Sequence, residues 1–263
     1  MKERFLCVLL AMSLLAVSGC AEQKSNSLAE QETEQQCFKD TPVRVGGPGV
    51  IMARYMWLSL EAHIEQADLV LEVTIEEWIG ETPYEVKYGD ELIEMKRDSC
   101  PNTYYRAKVN HTFKGSDKSY DTIVVKQSGN SGFRVNDDVL FKNGDRVILF
   151  LREFDYELHE KENNVKILPK FNDTFIMSHW FTTNFYIWEY EGKNYVISLY
   201  SGGILNDQSE RGNIKPLDEK IAEAIAENFF TYDEIYKETA DKFGYNVFEY
   251  DDVVKLILEG GVS

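Results

Sequence analysis

The chain has 263 residues and a formal net charge of −17, with 45 acidic against 28 basic side chains. Such an acidic surface repels phosphate, which excludes nucleic acid as a partner and offers nothing to anionic lipid headgroups. The length suffices for one large or two small domains with a full hydrophobic core.

The N-terminus speaks to location. Lys2 and Arg4 form a basic head, followed by an apolar run from Phe5 to Val17. That run is shorter than the ~20 residues of a spanning helix and reads as a secretory signal over 1–19. It closes on Val17-Ser18-Gly19-Cys20, which resembles the lipobox of bacterial lipoproteins. The resemblance implies removal of 1–19, a diacylglycerol thioether on Cys20 and a further acyl chain such as palmitate on its amine. The protein is then expected on the extracytoplasmic face of the cell membrane, lipid-anchored at Cys20 and not spanning. The alternative is an ordinary cleaved signal that happens to end in cysteine.

Residues 20–45 read as the lipidated tether. Ala21 to Gln36 contain no aromatic residue, with Leu28 as the one sizeable apolar side chain, too little to bury for a fold. A first helix of the domain is the alternative. With Cys7 in the signal and Cys20 acylated, Cys37 and Cys100 remain. Outside the membrane, two such thiols are expected to pair as a disulfide.

From Leu58 the chain becomes periodic. LSLEAHIEQAD places Leu60, Ile64 and Ala67 at helical spacing. LVLEVTIEEWIG is rich in β-formers, and YEVKYGDELIEMKR reads as a hairpin turning at Gly89-Asp90. In TYYRAKVNHTFKG, Tyr105, Ala107, Val109, His111 and Phe113 alternate with polar residues, predicting one buried face. HTFKGSDKSYD then reads as a strand end and turn, with Gly115 supplying the permissive backbone and Lys114, Ser116 and Asp117 in solvent. DTIVVKQSG is a further strand, and GDRVILFLREF is a nearly continuous apolar one, as befits a strand deep in a barrel. YELHEKENNVKIL is read as turning at Asn163-Asn164, and FYIWEYEGKNYVISLY around Gly192.

A helix ending in ADLVLEVTI, an alternating strand ending in FKG, TIVVKQSG and FKNGDRVILFLRE occur here in that order. The series resembles a family of secreted bacterial proteins with OB-fold barrels related to tissue inhibitors of metalloproteinases. It implies a mainly β protein with some α: an OB-like closed β-barrel over 46–200, a helix before its first strand, and a C-terminal helical segment, 201–263, packed on it. Inhibitors of that fold present a free cysteine amine at the mature N-terminus. Here the amine would be that of Cys20, acylated and beyond a spacer, so no inhibitory residue carries over.

No motif assigns a catalytic or metal-binding residue. SGNSGF, with Ser131, is similar to the nucleophile surroundings of chymotrypsin-like serine proteases. That chemistry needs a base within hydrogen-bond reach, whereas His63 falls on a helix before the first strand, so a glycine-rich loop is the better reading. GGPG at 46–49 lacks a phosphate-loop pattern and reads as a turn. His63, His111, His159 and His179 are scattered without metal-helix spacing, and Asn136-Asp137-Asp138 is too short for a calcium loop. No cofactor is expected.

The last sixty residues turn helical. PLDEKIAEAIAENFF places Pro216 at a start, with Leu217, Ile221, Ala224 and Ile225 on one face. Thr231-Tyr232-Asp233-Glu234 has the form of a capping box. It opens a helix that buries Tyr232, Ile235, Tyr236, Ala240 and Phe243 and stops at Gly244. Asp251 is placed at the cap of a third helix. A stand-alone helical module is the alternative to packing on the barrel.

Residues 175 to 200 hold nine aromatics in 26 positions, against 13% for the chain. In a hairpin, Phe185 and Ile187 are expected on the core face with Tyr195, Ile197 and Leu199. Tyr186, Trp188 and Tyr190 then form an aromatic stripe on the other face. The stripe either lies beneath the C-terminal helices or is exposed as a partner-binding surface. The functional expectation is a non-catalytic envelope lipoprotein that binds an extracellular protein, peptide or glycan. The alternatives are a surface hydrolase or a protease-inhibitor-like protein.

Overall fold

The computed structural model describes residues 49–51, 58–81, 85–88, 91–94, 102–115, 119–130, 133–135, 139–163, 170–177, 185–201 and 203–260. In chain order its elements begin with β1 (Gly49–Ile51), α1 (Leu60–Gln66), β2 (Leu69–Glu81), β3 (Glu85–Tyr88), β4 (Glu91–Glu94), β5 (Asn102–Lys114) and β6 (Thr122–Ser128). Then come β7 (Phe133–Val135), β8 (Arg146–Glu153), α2 (Tyr156–Asn163), β9 (Thr174–Met177), β10 (Phe185–Tyr190) and β11 (Lys193–Ser198). The chain continues through α3 (Ile204–Glu210), α4 (Glu219–Phe230), α5 (Glu234–Phe243), β12 (Asn246–Glu249) and α6 (Tyr250–Gly260).

Five strands close a barrel. β2 pairs with β5 and β5 with β6, both antiparallel; β6 pairs with β9 in parallel; β9 pairs with β8, and β8 returns to β2. The barrel is OB-like, as expected, with its first strand preceded by α1. β8 has a divided outer edge: Leu151 to Glu153 pair with β9, while Val147 and Ile148 pair with β10. Through β10 the sheet runs on past the barrel into β11 and β12. β3 and β4 pair with Tyr88 opposite Glu91, so that hairpin is as read from the sequence.

This topology gives the core two large clusters, with a smaller third one of Ile79, Tyr104 and Phe171. Leu71, Val73, Tyr105, Val147, Leu149 and Leu151 fill the barrel, continuous with Tyr186, Tyr195 and Ile197 and with Ile225, Phe229, Tyr236 and Ala240 of α4 and α5. On the opposite face Val70, Ile148, Phe150, Phe185, Ile187 and Val196 pack against Leu60 and Ile64 of α1, Ile204 and Leu205 of α3, and Val253 and Ile257 of α6. Both faces of β8 are therefore covered, which is why its sequence shows a run rather than an alternation.

Several expectations are corrected, each for a local reason. The alternation in β5 holds through Val109, which packs on the barrel core, and then fails. Register shifts place Val73 opposite Val109 but Glu72 opposite His111, leaving Asn110 extra, and a second shift follows before Lys114. Each such bulge reverses the phase of the strand. His111 is accordingly exposed, and Phe113 packs on the outer core instead of the barrel interior. Lys114 is not a solvated turn residue either. Its ammonium donates to the carbonyls of Ile64 (2.5 Å), Glu65 (3.1 Å) and Ala67 (2.7 Å), closing the C-terminus of α1 where a cation is favoured. Gly115 does take a left-handed conformation, φ +87°, and a Cβ there would lie 2.6 Å from the Asp68 carbonyl oxygen.

The YELHEKEN stretch is the helix α2, its first turn capped by the Asp155 carboxylate accepting from the Leu158 N–H (2.9 Å), and the turn expected at Asn163-Asn164 runs into residues outside those described. In α4 the cap is Asp218, which accepts from the Lys220 N–H. The buried face of that helix holds Ile225, Ala226 and Phe229, leaving Ile221 half exposed. Thr231 does not open a capping box; its hydroxyl donates to the Asn228 carbonyl at the end of α4, and Asp233 caps α5. The C-terminal segment also contributes a strand, β12, added antiparallel to β11. It is therefore not purely helical.

Candidate functional site

The β10–β11 hairpin turns through Glu191 and Gly192, both at positive φ (51° and 77°), which opposes Tyr190 to Lys193 and Trp188 to Tyr195. Such a two-residue turn matches the strand twist and fixes the register. Tyr186 and Trp188 consequently share a face with Tyr195 and Ile197, while Phe185 and Ile187 lie with Val196. The expected grouping of Phe185 and Ile187 with Tyr195 and Ile197 is thus reversed. The aromatic side, not the aliphatic side, is continuous with the barrel interior.

The stripe lies beneath the C-terminal helices. Tyr186 is 2% exposed, with ring centroids 5.7 Å from Phe229 and 4.9 Å from Tyr236. Trp188 is half-buried, 5.4 Å from Phe229 and 5.5 Å from Tyr232, and its indole N–H donates to Asn228 Oδ1 (2.9 Å). Tyr190, also half-buried, borders the same core.

The packing leaves a gap beside this stripe. β10 pairs with β8 only at Phe185 and Tyr186, so its remaining residues run past the start of β8. There a cleft of about 250 Å³ opens, with Gly144 to Arg146 on one side, Tyr186 to Glu189 on another, and Phe229 and Tyr232 closing it. Phe229 comes from the last turn of α4 and Tyr232 from the α4–α5 connection.

Two ionic groups border the cleft from fixed positions. Asp145, 4% exposed, accepts through Oδ2 from the Lys142 N–H (2.6 Å) and the Tyr236 hydroxyl (2.5 Å). It thereby ties the turn before β8 to α5. Arg146 donates to Glu72 Oε1 (2.8 Å) and Asn194 Oδ1 (3.2 Å), and the Tyr250 hydroxyl donates to Glu72 Oε2 (2.5 Å). Burial and then the Glu72 carboxylate hold the Tyr250 phenol well above its ordinary range, so it stays the donor. The Arg146 charge is matched by Glu72. Glu189 is exposed and, among the described residues, has neither an ion pair nor a side-chain hydrogen bond.

A second, more open groove of about 570 Å³ lies between the end of β8, the start of α2 and residues 170–172. Nearby, Lys126 sits 3.7 Å from the Phe154 ring centroid, and burial pulls its ammonium down to about 8. Burial and then Lys126 lower His159 below its ordinary range. Residues 164–169, which precede Lys170 in the chain, lie outside the described residues, so the Trp188 cleft is the better defined site.

Of the residues singled out from sequence, Cys20, Cys37, Cys100, Ser131, His179 and Asn136 to Asp138 lie outside the described residues. His63 is on α1 as expected, 1% exposed and beside Phe150. Among the described residues no three or more His, Cys, Asp or Glu side chains gather as metal ligands, and no helix is long and apolar enough to cross a membrane. Compared with known proteins, the chain matches no family and no curated protein. What the cleft offers is surface: aromatic faces, two carboxylates and a guanidinium already engaged. Asp145, Arg146, Phe229 and Tyr232 were not foreseen as part of a site, because only the fold brings these distant segments together.

Proposed function

We propose that this protein is a lipid-anchored, extracytoplasmic binding protein. Its OB-like barrel and C-terminal helices present the Trp188 cleft to a protein, peptide or glycan. The cleft carries the reading: amphipathic aromatic side chains beside a few fixed polar groups are what recognition sites use. The signal-like head and the Cys20 lipobox resemblance support the location, and the −17 charge supports a partner other than nucleic acid. The likeness to secreted barrels related to metalloproteinase inhibitors fits a non-catalytic role.

Peptide and glycan arrays probed with the detergent-solubilised full chain test this. Saturable binding to one class, weakened at least tenfold by Trp188→Ala in protein that still melts cooperatively, is expected. Turnover of peptide, ester or glycan substrates abolished by one carboxylate or Ser131 substitution would instead establish a hydrolase.

A further inference from the structure

The second groove has an amine at its margin. Lys126 projects from β6 in register with Tyr104 of β5 and Ile176 of β9. Residues so paired share a sheet face, which gives the lysine a wholly buried phenol and an aliphatic side chain as neighbours. Its Nζ rests 3.7 Å from the Phe154 ring centroid, and Phe154 is also part of the groove's wall. The lysine is half-buried, and among the described residues it has no hydrogen bond and no ion pair.

The charges around it do not make up for that. Of the acids on α2, Glu160 pairs with Lys170 at 2.7 Å, and Glu162 is exposed and acts on His159. Arg152, opposite Ile176 on β8, brings a like charge to the same sheet face. His159, 5.3 Å from the Phe154 ring, is itself held low by burial and then by Lys126. Glu153, Asp155 and Glu157 line the groove, yet burial is the one influence that moves Lys126, pulling its ammonium down to about 8. At pH 7 roughly one molecule in ten then carries a neutral amine, against about one in 2,500 for an exposed lysine.

We propose that Lys126 is a covalent attachment site, its amine condensing with a small aldehyde that enters the groove. The nitrogen lone pair adds to the carbonyl carbon, and a proton passes from nitrogen to oxygen. The carbinolamine then loses water to leave the imine. One amine and one carbonyl give one imine and one water, with no oxidant or reductant. Burial favours this chemistry in two ways. It keeps the amine in the form that carries the lone pair, and it disfavours the return of water. An acyl group would need an activated donor and a leaving group, and an aldehyde needs neither. The inference stands apart from the Trp188 cleft and holds whether or not that cleft binds a partner.

Reductive labelling of the detergent-solubilised full chain tests it. Glycolaldehyde is the probe, and sodium cyanoborohydride traps the imine as a secondary amine. Mass analysis of proteolytic peptides reports the rate at each lysine, with the exposed Lys108, Lys193 and Lys215 as references. At pH 7 Lys126 is expected to label at least tenfold faster than their average. That ratio should fall at least tenfold by pH 10, where exposed lysines also lose their protons. Phe154→Glu sets a carboxylate beside the amine and should slow Lys126 several-fold at pH 7, in protein that still melts cooperatively. Labelling of Lys126 no faster than the references, or a ratio that does not fall with pH, would overturn the proposal. So would a folded Phe154→Glu variant that labels at the native rate. If Phe154→Glu does not fold, the native ratio and its pH dependence decide alone.

Discussion

Replacing Tyr186, Trp188 and Tyr190 together by serine is expected to lower the melting temperature by roughly 12–24 °C, or to abolish the cooperative transition. Tyr186 sits among Phe141, Phe229 and Tyr236, and joins the barrel interior to α4 and α5. Truncating one buried aromatic costs ~3–5 kcal/mol, and Trp188 adds a smaller amount because it is half-buried. A loss of ~6 kcal/mol consumes much of the 5–15 kcal/mol typical of a folded domain. At ~2–4 °C per kcal/mol for a chain of this size, the shift is large. Single substitutions should rank Tyr186 first and Tyr190 last. Circular dichroism melts check this, and a triple variant that melts with the native protein would place the stripe in solvent.

Asp145→Ala has the second largest expected effect. The Tyr236 hydroxyl and the Lys142 N–H both lose this acceptor, and each buried group left short of a partner costs ~1–3 kcal/mol. The expected total of about 3 kcal/mol corresponds to a fall of roughly 6–12 °C. Tyr236→Phe removes only one of the two bonds and should cost ~1 kcal/mol. A double-mutant cycle between them should show non-additivity, because they share one hydrogen bond. If Asp145→Ala melts within 2 °C of the native protein, roughly the ~0.5–1 kcal/mol equivalent, the carboxylate does not hold the turn to α5.

How much of this was legible depended on whether a feature is local. The apolar run of β8, the helical spacing before β2 and the Gly244 stop are written in consecutive residues, and all appear in the fold. The bulges of β5 are not, since they arise from its pairing with β2 rather than from its own composition. The hairpin register hinged on Glu191 adopting positive φ beside Gly192, a conformation a glutamate rarely takes. One residue of difference there exchanged the two faces of β10. Tyr186 and Trp188 were singled out by aromatic density alone. Their surroundings were hidden, because the cleft draws on residues 144–146, 186–189 and 229–232. The Lys114 contacts with α1 likewise cross some fifty positions and leave no trace in the turn-like stretch that contains it.

The lipid anchor at Cys20 is what would place the cleft outside the membrane, and metabolic labelling tests it most directly. The full chain is expressed in a bacterial host with radiolabelled palmitate, then partitioned between Triton X-114 and water. The native chain should carry label and enter the detergent phase with the mobility of a processed protein. Cys20→Ala should carry no label and remain unprocessed or be released, because the thioether needs the thiol. A Cys20→Ala protein that still takes up label and partitions into detergent at the mature size would contradict the account.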